Sequence, residues 1–160
     1  MELIVFTGLQ ASGKTTCYVR HFLPTHLRLS LDQFNGSRHR ESILFAAALE
    51  SKTPTVVDNT NAAAVERARY VVPAKAARFR VVSYFFESTL DECLARNAAR
   101  TGAQCIPDAG LRGCLRRLEP PTLSEGFDAL FRVRIAPDGS FIVEPAGADA
   151  PPPATTEVRP

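Results

Sequence analysis

The residues best suited to chemistry lie close to the start of the chain. Gly8 to Thr15 reads GLQASGKT and fills every fixed position of the P-loop pattern G-x-x-x-x-G-K-[ST]. In such a loop the backbone N–H groups and the following helix N-terminus attract phosphate, and the glycines allow a close approach. Lys14 is expected to reach the β- and γ-phosphates, and the Thr15 hydroxyl to ligate Mg²⁺. The expected ATP- or GTP-binding residues are Gly8, Gln10, Ala11, Ser12, Gly13, Lys14, Thr15 and Thr16.

Two carboxylates follow strand-type segments further along the chain. Asp32 is a candidate base, because a carboxylate near a bound triphosphate can take the proton of an acceptor hydroxyl; capping the following turn is the equal alternative. Asp58 ends an apolar segment, where a buried carboxylate needs a metal ion, bound water or hydrogen-bond donors. It would serve the metal or the acceptor, and the structural alternative is an Asx turn with Asn59. Four successive polar residues, Asp58 to Asn61, favour the functional role.

A third candidate set is a pair of arginines, Arg96 and Arg100. Their spacing of four residues puts both guanidinium groups on one face of a predicted helix. Two permanently charged groups suit the negative charge that develops on a transferring γ-phosphoryl group. The glycines and prolines of residues 101–121 are typical of a mobile lid. The alternative is a solvated basic helix face, which is the commoner arrangement.

Strand-type and helix-type segments alternate along the chain, which predicts a parallel sheet with helices on both faces. Ligands of such sheets bind at the carboxyl ends of the strands, where the P-loop, Asp32 and Asp58 are all expected. With the P-loop, this predicts an α/β fold of the P-loop NTPase class, adenylate-kinase-like. It would be a three-layer sandwich with a central, mainly parallel sheet and a small helical lid. We expect a kinase domain at 1–144, with the lid at about 96–121, and a flexible proline-rich tail at 145–160.

The composition places few limits on function. The chain has 160 residues, 45% of them hydrophobic, which fits one globular domain, and its formal net charge is +2. From Glu66 to Arg117, however, basic residues exceed acidic ones by five, which suits a polyanionic partner. The four cysteines form no C-x-x-C pair, so a zinc site is not expected. No apolar stretch approaches a membrane span and no signal peptide is recognisable, so a cytoplasmic protein is expected.

Several blocks of sequence resemble the kinase domain of the 5′-polynucleotide kinases, found in the kinase–phosphatase repair enzymes. The likeness covers residues 3–143. The most specific blocks are Asp58-Asn59-Thr60-Asn61 with Arg67-Ala68-Arg69-Tyr70, and Glu119-Pro120-Pro121-Thr122 with Glu125-Gly126-Phe127. The P-loop, Asp32, Arg96-Asn97-Ala98-Ala99-Arg100 and Ile106-Pro107 complete the set.

The resemblance implies transfer of the ATP γ-phosphate to the 5′-hydroxyl of DNA or RNA, with ATP and Mg²⁺ as cofactors. It implies that Asp32 is the general base, and that Lys14 is catalytic and holds the phosphates. It implies that Arg96 and Arg100 clamp the ATP phosphates from the lid, and that Thr15 and Asp58 serve the metal. The acceptor-binding residues would be Asp32, Arg38, Asp58, Thr60, Asn61 and Arg69.

The chain also departs from this family. The phage enzyme has an acceptor-binding arginine three residues after the base, where this chain has Asn35, and Arg38 is the possible substitute. No phosphatase motif of the form D-x-D-G-T is present. Two other functions therefore stay open: a kinase for a small alcohol such as a sugar, nucleoside or antibiotic, and a non-catalytic nucleotide-binding switch. The switch would act on a protein partner through the proline-rich tail.

Overall fold

The computed structural model describes residues 1–102 and 105–146. Within them, six strands and five α-helices alternate through most of the chain. The strands are β1 (Glu2–Gly8), β2 (Leu27–Leu29), β3 (Thr55–Val57), β4 (Arg80–Phe86), β5 (Ala129–Ile135) and β6 (Phe141–Pro145). The helices are α1 (Lys14–His21), α2 (Arg38–Glu50), α3 (Ala64–Ala76), α4 (Leu90–Ala98) and α5 (Asp108–Arg117).

The strands form one sheet in the order β2-β3-β1-β4-β5-β6. The first five are parallel, and β6 pairs with β5 in the antiparallel direction. Since β1 lies in the middle of the sheet, the loop that follows it has neighbours from β3 on one side and β4 on the other. The predicted three-layer fold with a central, mainly parallel sheet is therefore confirmed.

Both faces of the sheet are apolar, as expected of central parallel strands. Leu3 and Val5 point to the face covered by Phe45 of α2 and Tyr70 of α3. Ile4 and Phe6 point to the opposite face, with Cys17 and Tyr18 of α1. A third, smaller cluster joins α4 and α5 through Cys93, Leu111 and Cys114, together with Leu9 and Ala62. These two helices are thus packed against the residue that follows β1.

Local signals explain the main boundaries. Thr89 and Glu92 form the expected capping box at the start of α4, with bonds of 2.8 and 3.2 Å between each side chain and the other's backbone N–H. The turn at Asp138 and Gly139 joins β5 to β6 as expected, and Asp138 accepts the Ser140 N–H at 2.9 Å. Pro145 ends β6, and the Ala146 N–H donates to the Leu130 carbonyl at 2.8 Å.

Two predicted segments extend beyond the described residues. The predicted tail lies outside them from residue 147 onward. Residues 103–104 of the predicted lid also lie outside them. In the described part of the chain, no helix has the length and apolar character needed to cross a membrane.

Candidate active site

The phosphate loop fills the space between the end of β1 at Gly8 and the start of α1 at Lys14. Gly13 has a φ of 93°, and a Cβ there would lie 2.8 Å from Cδ1 of Ile135. A Cβ on Gly8 would lie 2.9 Å from Cβ of Phe86. Both glycines of the motif are therefore required by backbone conformation and by close packing. The Gly8 N–H donates to the Thr60 carbonyl at 3.0 Å, which fixes the loop against the segment after β3.

The Lys14 side chain lies folded back onto this loop. Its Nζ donates to the carbonyls of Gly8 at 3.0 Å and Leu9 at 2.5 Å, and to Oγ of Ser12 at 3.3 Å. The residue is only 8% exposed. Burial lowers the pKa of Lys14 from 10.5 to about 8, and the charge of Asp58 works in the opposite direction. The oxygens that now accept hydrogen bonds from this ammonium group are neutral. A bound phosphate would be an anionic partner for it.

Two side chains whose oxygen atoms can ligate a metal ion, Thr15 and Asp58, lie beside the lysine. Oγ1 of Thr15 donates to Oδ2 of Asp58 at 2.8 Å, so the predicted metal-binding pair is in contact. The described residues contain no group of three or more His, Cys, Asp or Glu side chains suited to a metal ion. Mg²⁺ in kinase sites is typically held by one or two protein oxygens together with phosphate oxygens and water. The hydroxyl of Thr15 and the carboxylate of Asp58 fit that requirement.

Arg28 of β2 also belongs to this site, although its sequence position gave no sign of it. Its Nε donates to Oδ2 of Asp58 at 2.8 Å, and its Nη2 lies 2.7 Å from the same oxygen. The Nη2 group also approaches Oγ1 of Thr15 at 3.2 Å. Asp58 thus has the cationic partner that a buried carboxylate needs.

Asp32 lies in a short 3-10 turn, Leu31–Phe34, directly after β2. The Leu31 N–H donates to Oδ1 of Asn59 at 2.8 Å, which ties this turn to the segment after β3. The exposed Asp32 lines a cavity of about 270 Å³ that Lys14 and Thr15 also line. The other residues of its wall are Gln10, Gly13, Thr16, Leu31, Arg38, Asp58, Asn59, Thr60, Arg100 and Ile106.

A buried polar network lies behind this turn. Oε1 of Glu41 accepts from Nδ2 of Asn59 at 2.7 Å and from the Tyr70 hydroxyl at 2.9 Å. Arg38 donates through Nη1 to Oε2 of Glu41 at 3.0 Å and to the Tyr70 hydroxyl at 2.7 Å. Burial and the neighbouring Glu41 carboxylate raise the pKa of Tyr70. Arg38 therefore lines the cavity with its Nη1 already hydrogen-bonded to Glu41 and Tyr70.

The two lid arginines have different surroundings. Arg96 donates through Nη1 to the Ala11 carbonyl of the phosphate loop at 3.0 Å and lies 3.4 Å from Oγ of Ser88. Arg100 lines the cavity itself, and its charge is one of the influences that lower the pKa of Lys14. Arg96 thus holds the loop's backbone, whereas Arg100 faces the space for a phosphate.

Two of the expected acceptor residues do not line the cavity. Asn61 is 1% exposed, and its Nδ2 donates to the Phe6 carbonyl at 2.8 Å, so it fixes the end of β1. Arg69 is exposed on α3, outside the cavity wall. Asn61 and Arg69 thus lie outside the cavity wall, whereas Thr60, Arg38 and Asp58 line it.

The more specific sequence blocks meet in a structural clasp centred on Arg67. This side chain is 0% exposed and pairs with both carboxylate oxygens of Glu125, at 2.7 and 2.8 Å. Its Nη1 also donates to the carbonyls of Asn61, Ala62 and Glu119 at 2.9 to 3.1 Å. The clasp therefore connects residues 61–62, which follow β3, to residues 119–125, which follow α5. Sequence reasoning gave Arg67 no role, because its partner lies 58 residues away.

Comparison with known proteins finds a matching family model and similar solved structures, among them the two that follow. The family model described as "AAA domain" matches residues 35–121, more than half of the chain. Kti12 of Chaetomium thermophilum, crystallised with ADP-AlF3, superposes with a TM-score of 0.64 at 20% identity, covering 82% of this chain and 88% of that one. A fungal RNA kinase superposes with a TM-score of 0.61 at 17% identity, covering 83% of this chain and only 38% of that one. At these identities the likeness shows a shared fold.

Proposed function

Because the chain belongs to the AAA-domain family, within the P-loop NTPases, we propose that it is a kinase that transfers the γ-phosphate of ATP to a polynucleotide 5′-hydroxyl. One observation carries the proposal. The Asp32 carboxylate lines the same cavity as Lys14 and Thr15 of the phosphate loop. A protein that only bound a nucleotide would not need a carboxylate at that position, whereas a kinase needs a group that takes the acceptor's proton.

In the proposed reaction Lys14 leaves the loop carbonyls and binds the phosphates. The acceptor oxygen forms a bond to the γ-phosphorus, the bond from that phosphorus to the bridging oxygen breaks, and ADP leaves. Asp32 accepts the hydroxyl proton, and Arg100 stabilises the charge on the moving phosphoryl group. Thr15 and Asp58 would hold Mg²⁺, which when bound neutralises part of the phosphate charge.

The shape beyond the cavity supports a long acceptor. A groove of about 820 Å³ includes Asp32 and continues past Asn35 and Gly36, with Arg28 and Arg100 on its walls. A groove with two arginines and one aspartate suits a strand whose phosphates extend away from its reacting 5′-hydroxyl end. The superposition on a fungal RNA kinase agrees with such an acceptor.

A small alcohol is the second candidate acceptor. Asn35 lines the groove without a charge, at the position where the resemblance leads us to expect an arginine that grips the acceptor. A kinase for a sugar, nucleoside or antibiotic would not need that arginine.

One assay separates these acceptors. The protein is incubated with Mg²⁺ and γ-labelled ATP, and with either 5′-hydroxyl DNA and RNA oligonucleotides or a panel of small alcohols. We expect label on the oligonucleotides, and none on matched oligonucleotides that already carry a 5′-phosphate. Label found only on a small alcohol would reject the polynucleotide as acceptor. Hydrolysis without any transfer would reject a kinase.

A further inference from the structure

Two side chains converge on one oxygen of Asp58. Thr15 Oγ1 and Arg28 Nε each donate a hydrogen bond to its Oδ2 at 2.8 Å, and Arg28 Nη2 lies 2.7 Å from the same oxygen as an ion-pair contact. The Asp58 side chain is only 2% exposed, so its charge must be balanced from within the protein. In this arrangement Arg28 supplies the positive charge.

That arrangement conflicts with a metal ion held by the same residues. Mg²⁺ bound to Thr15 and Asp58 would lie next to the Arg28 guanidinium, which contacts Oγ1 of Thr15 and Oδ2 of Asp58. Two cations held by one carboxylate would repel each other at short range. Arg28 and Mg²⁺ are therefore alternative partners of Asp58. Each balances the buried negative charge of Asp58 when the other is not bound to it.

The Arg28 side chain has space to move into when it leaves Asp58. Its side chain is 23% exposed, and its guanidinium lies 5.9 Å from the centre of the Tyr18 ring. The same side chain lines the groove that contains Asp32 and Asn35. A rotation of this long side chain moves its charge toward the groove without any change in β2.

Of the two arginines that line the groove, Arg100 is already assigned to the transferring phosphoryl group. Asn35 is uncharged, and Arg38 is engaged with Glu41 and Tyr70. Arg28 is the groove-lining arginine whose present partner would be neutralised by the incoming metal ion.

We propose that Arg28 exchanges partners during the reaction. It pairs with Asp58 in the metal-free protein, and binds a phosphate of the acceptor strand once Mg²⁺ has taken its place. The acceptor would then be gripped only when the metal–nucleotide complex is loaded. This inference rests on the proposed function, because it assumes an acceptor that carries phosphate.

The metal half of the exchange is tested without any acceptor. Free Mn²⁺, a substitute for Mg²⁺, is followed by electron paramagnetic resonance as it is titrated into protein saturated with ADP. We expect Arg28→Gln to bind Mn²⁺ about tenfold more tightly than the wild type, because one charge-assisted competitor is gone. Arg134→Gln, at an exposed arginine that pairs with Glu144 and lines neither the cavity nor the groove, should bind Mn²⁺ as the wild type does. Unchanged or weaker Mn²⁺ binding by Arg28→Gln overturns the exchange.

The wild-type protein provides a second measurement if Arg28→Gln fails to fold. With ¹⁵N-labelled arginine, the Arg28 Nε–H resonance is identified by its loss in Arg28→Lys. It should shift when Mg²⁺ is added to the ADP-bound protein. A resonance that stays in place overturns the exchange.

The acceptor half is tested by the fluorescence anisotropy of a 3′-labelled, 5′-hydroxyl oligonucleotide with ADP-bound protein. We expect Mg²⁺ to strengthen binding about tenfold in the wild type and in Arg134→Gln, but not in Arg28→Gln. Equal effects of Mg²⁺ on all three proteins overturn the acceptor role. Failure of the proposed function is distinguishable, because it appears as absent label transfer by the wild type, whatever the Mn²⁺ titration shows.

Discussion

Lys14 makes nucleotide binding dependent on pH. Its pKa in the free protein is lowered to about 8 by burial, whereas a phosphate partner favours the charged form and raises it. Well below pH 8 the lysine is already protonated, so binding takes up almost no proton. Above pH 8 a proton must be taken up with the nucleotide, and the affinity therefore falls as the pH rises.

The size of the effect follows from that pKa. At pH 7.5 about a quarter of free Lys14 is neutral, and at pH 9.0 about nine-tenths is neutral. If the bound lysine returns to its ordinary pKa of 10.5 or above, it stays protonated at both pH values. The dissociation constant should therefore rise about eightfold between pH 7.5 and 9.0, or about 1.3 kcal/mol.

The assay is isothermal titration calorimetry with ADP in EDTA, at pH 9.0, in two buffers with different ionisation enthalpies. We expect uptake of about 0.9 proton for each ADP bound. Lys75→Gln is the matched control, because Lys75 is an exposed lysine paired with Asp128 and should leave the uptake unchanged. Lys14→Gln should abolish the pH dependence while weakening binding at every pH. An ADP affinity that is flat from pH 7.5 to 9.0 in the wild type, without proton uptake, would refute the reasoning.

The other predictions concern catalysis and stability. Asp32→Asn should lower turnover by roughly 10²-fold or more with unchanged ADP affinity, and undiminished phosphate transfer would reject Asp32 as the base. Arg100→Ala should lower kcat more than it weakens oligonucleotide binding, and the opposite pattern would assign Arg100 to the acceptor. Glu125→Ala leaves the buried Arg67 uncompensated and should cost about 3–5 kcal/mol in a urea unfolding curve. Glu144→Ala, at an exposed pair, should cost less than about 1 kcal/mol, and equal losses would contradict the difference in burial.

Local patterns predicted the parts of the site that depend on short stretches of chain. The phosphate loop follows from the spacing of Gly8, Gly13 and Lys14, because a strand, a glycine turn and a helix are all encoded within a few residues. Asp32 and Asp58 follow two neighbouring parallel strands, whose carboxyl ends meet at one edge of the sheet. Their position at the carboxyl edge of the sheet was therefore predictable from the alternation of strands and helices.

Contacts between distant segments were not predictable in this way. Arg28 lies within a three-residue strand, and its pairing with Asp58 depends on which strands become neighbours. Arg67 and Glu125 are 58 residues apart, and neither lies in a local sequence pattern that would identify the other as its partner. The family resemblance implied that Asn61 binds the acceptor. Its amide instead satisfies the backbone of β1.

The clasp at Arg67 affects how mutational data on this protein should be interpreted. Arg67 donates to the Asn61 and Glu119 carbonyls, so it holds together two segments that flank the reaction space without touching a ligand itself. A genetic screen that selects for lost activity would return Arg67 and Glu125 alongside the reacting groups. Activity expressed per folded molecule would separate the two classes, because the clasp variants would lose protein before they lose turnover.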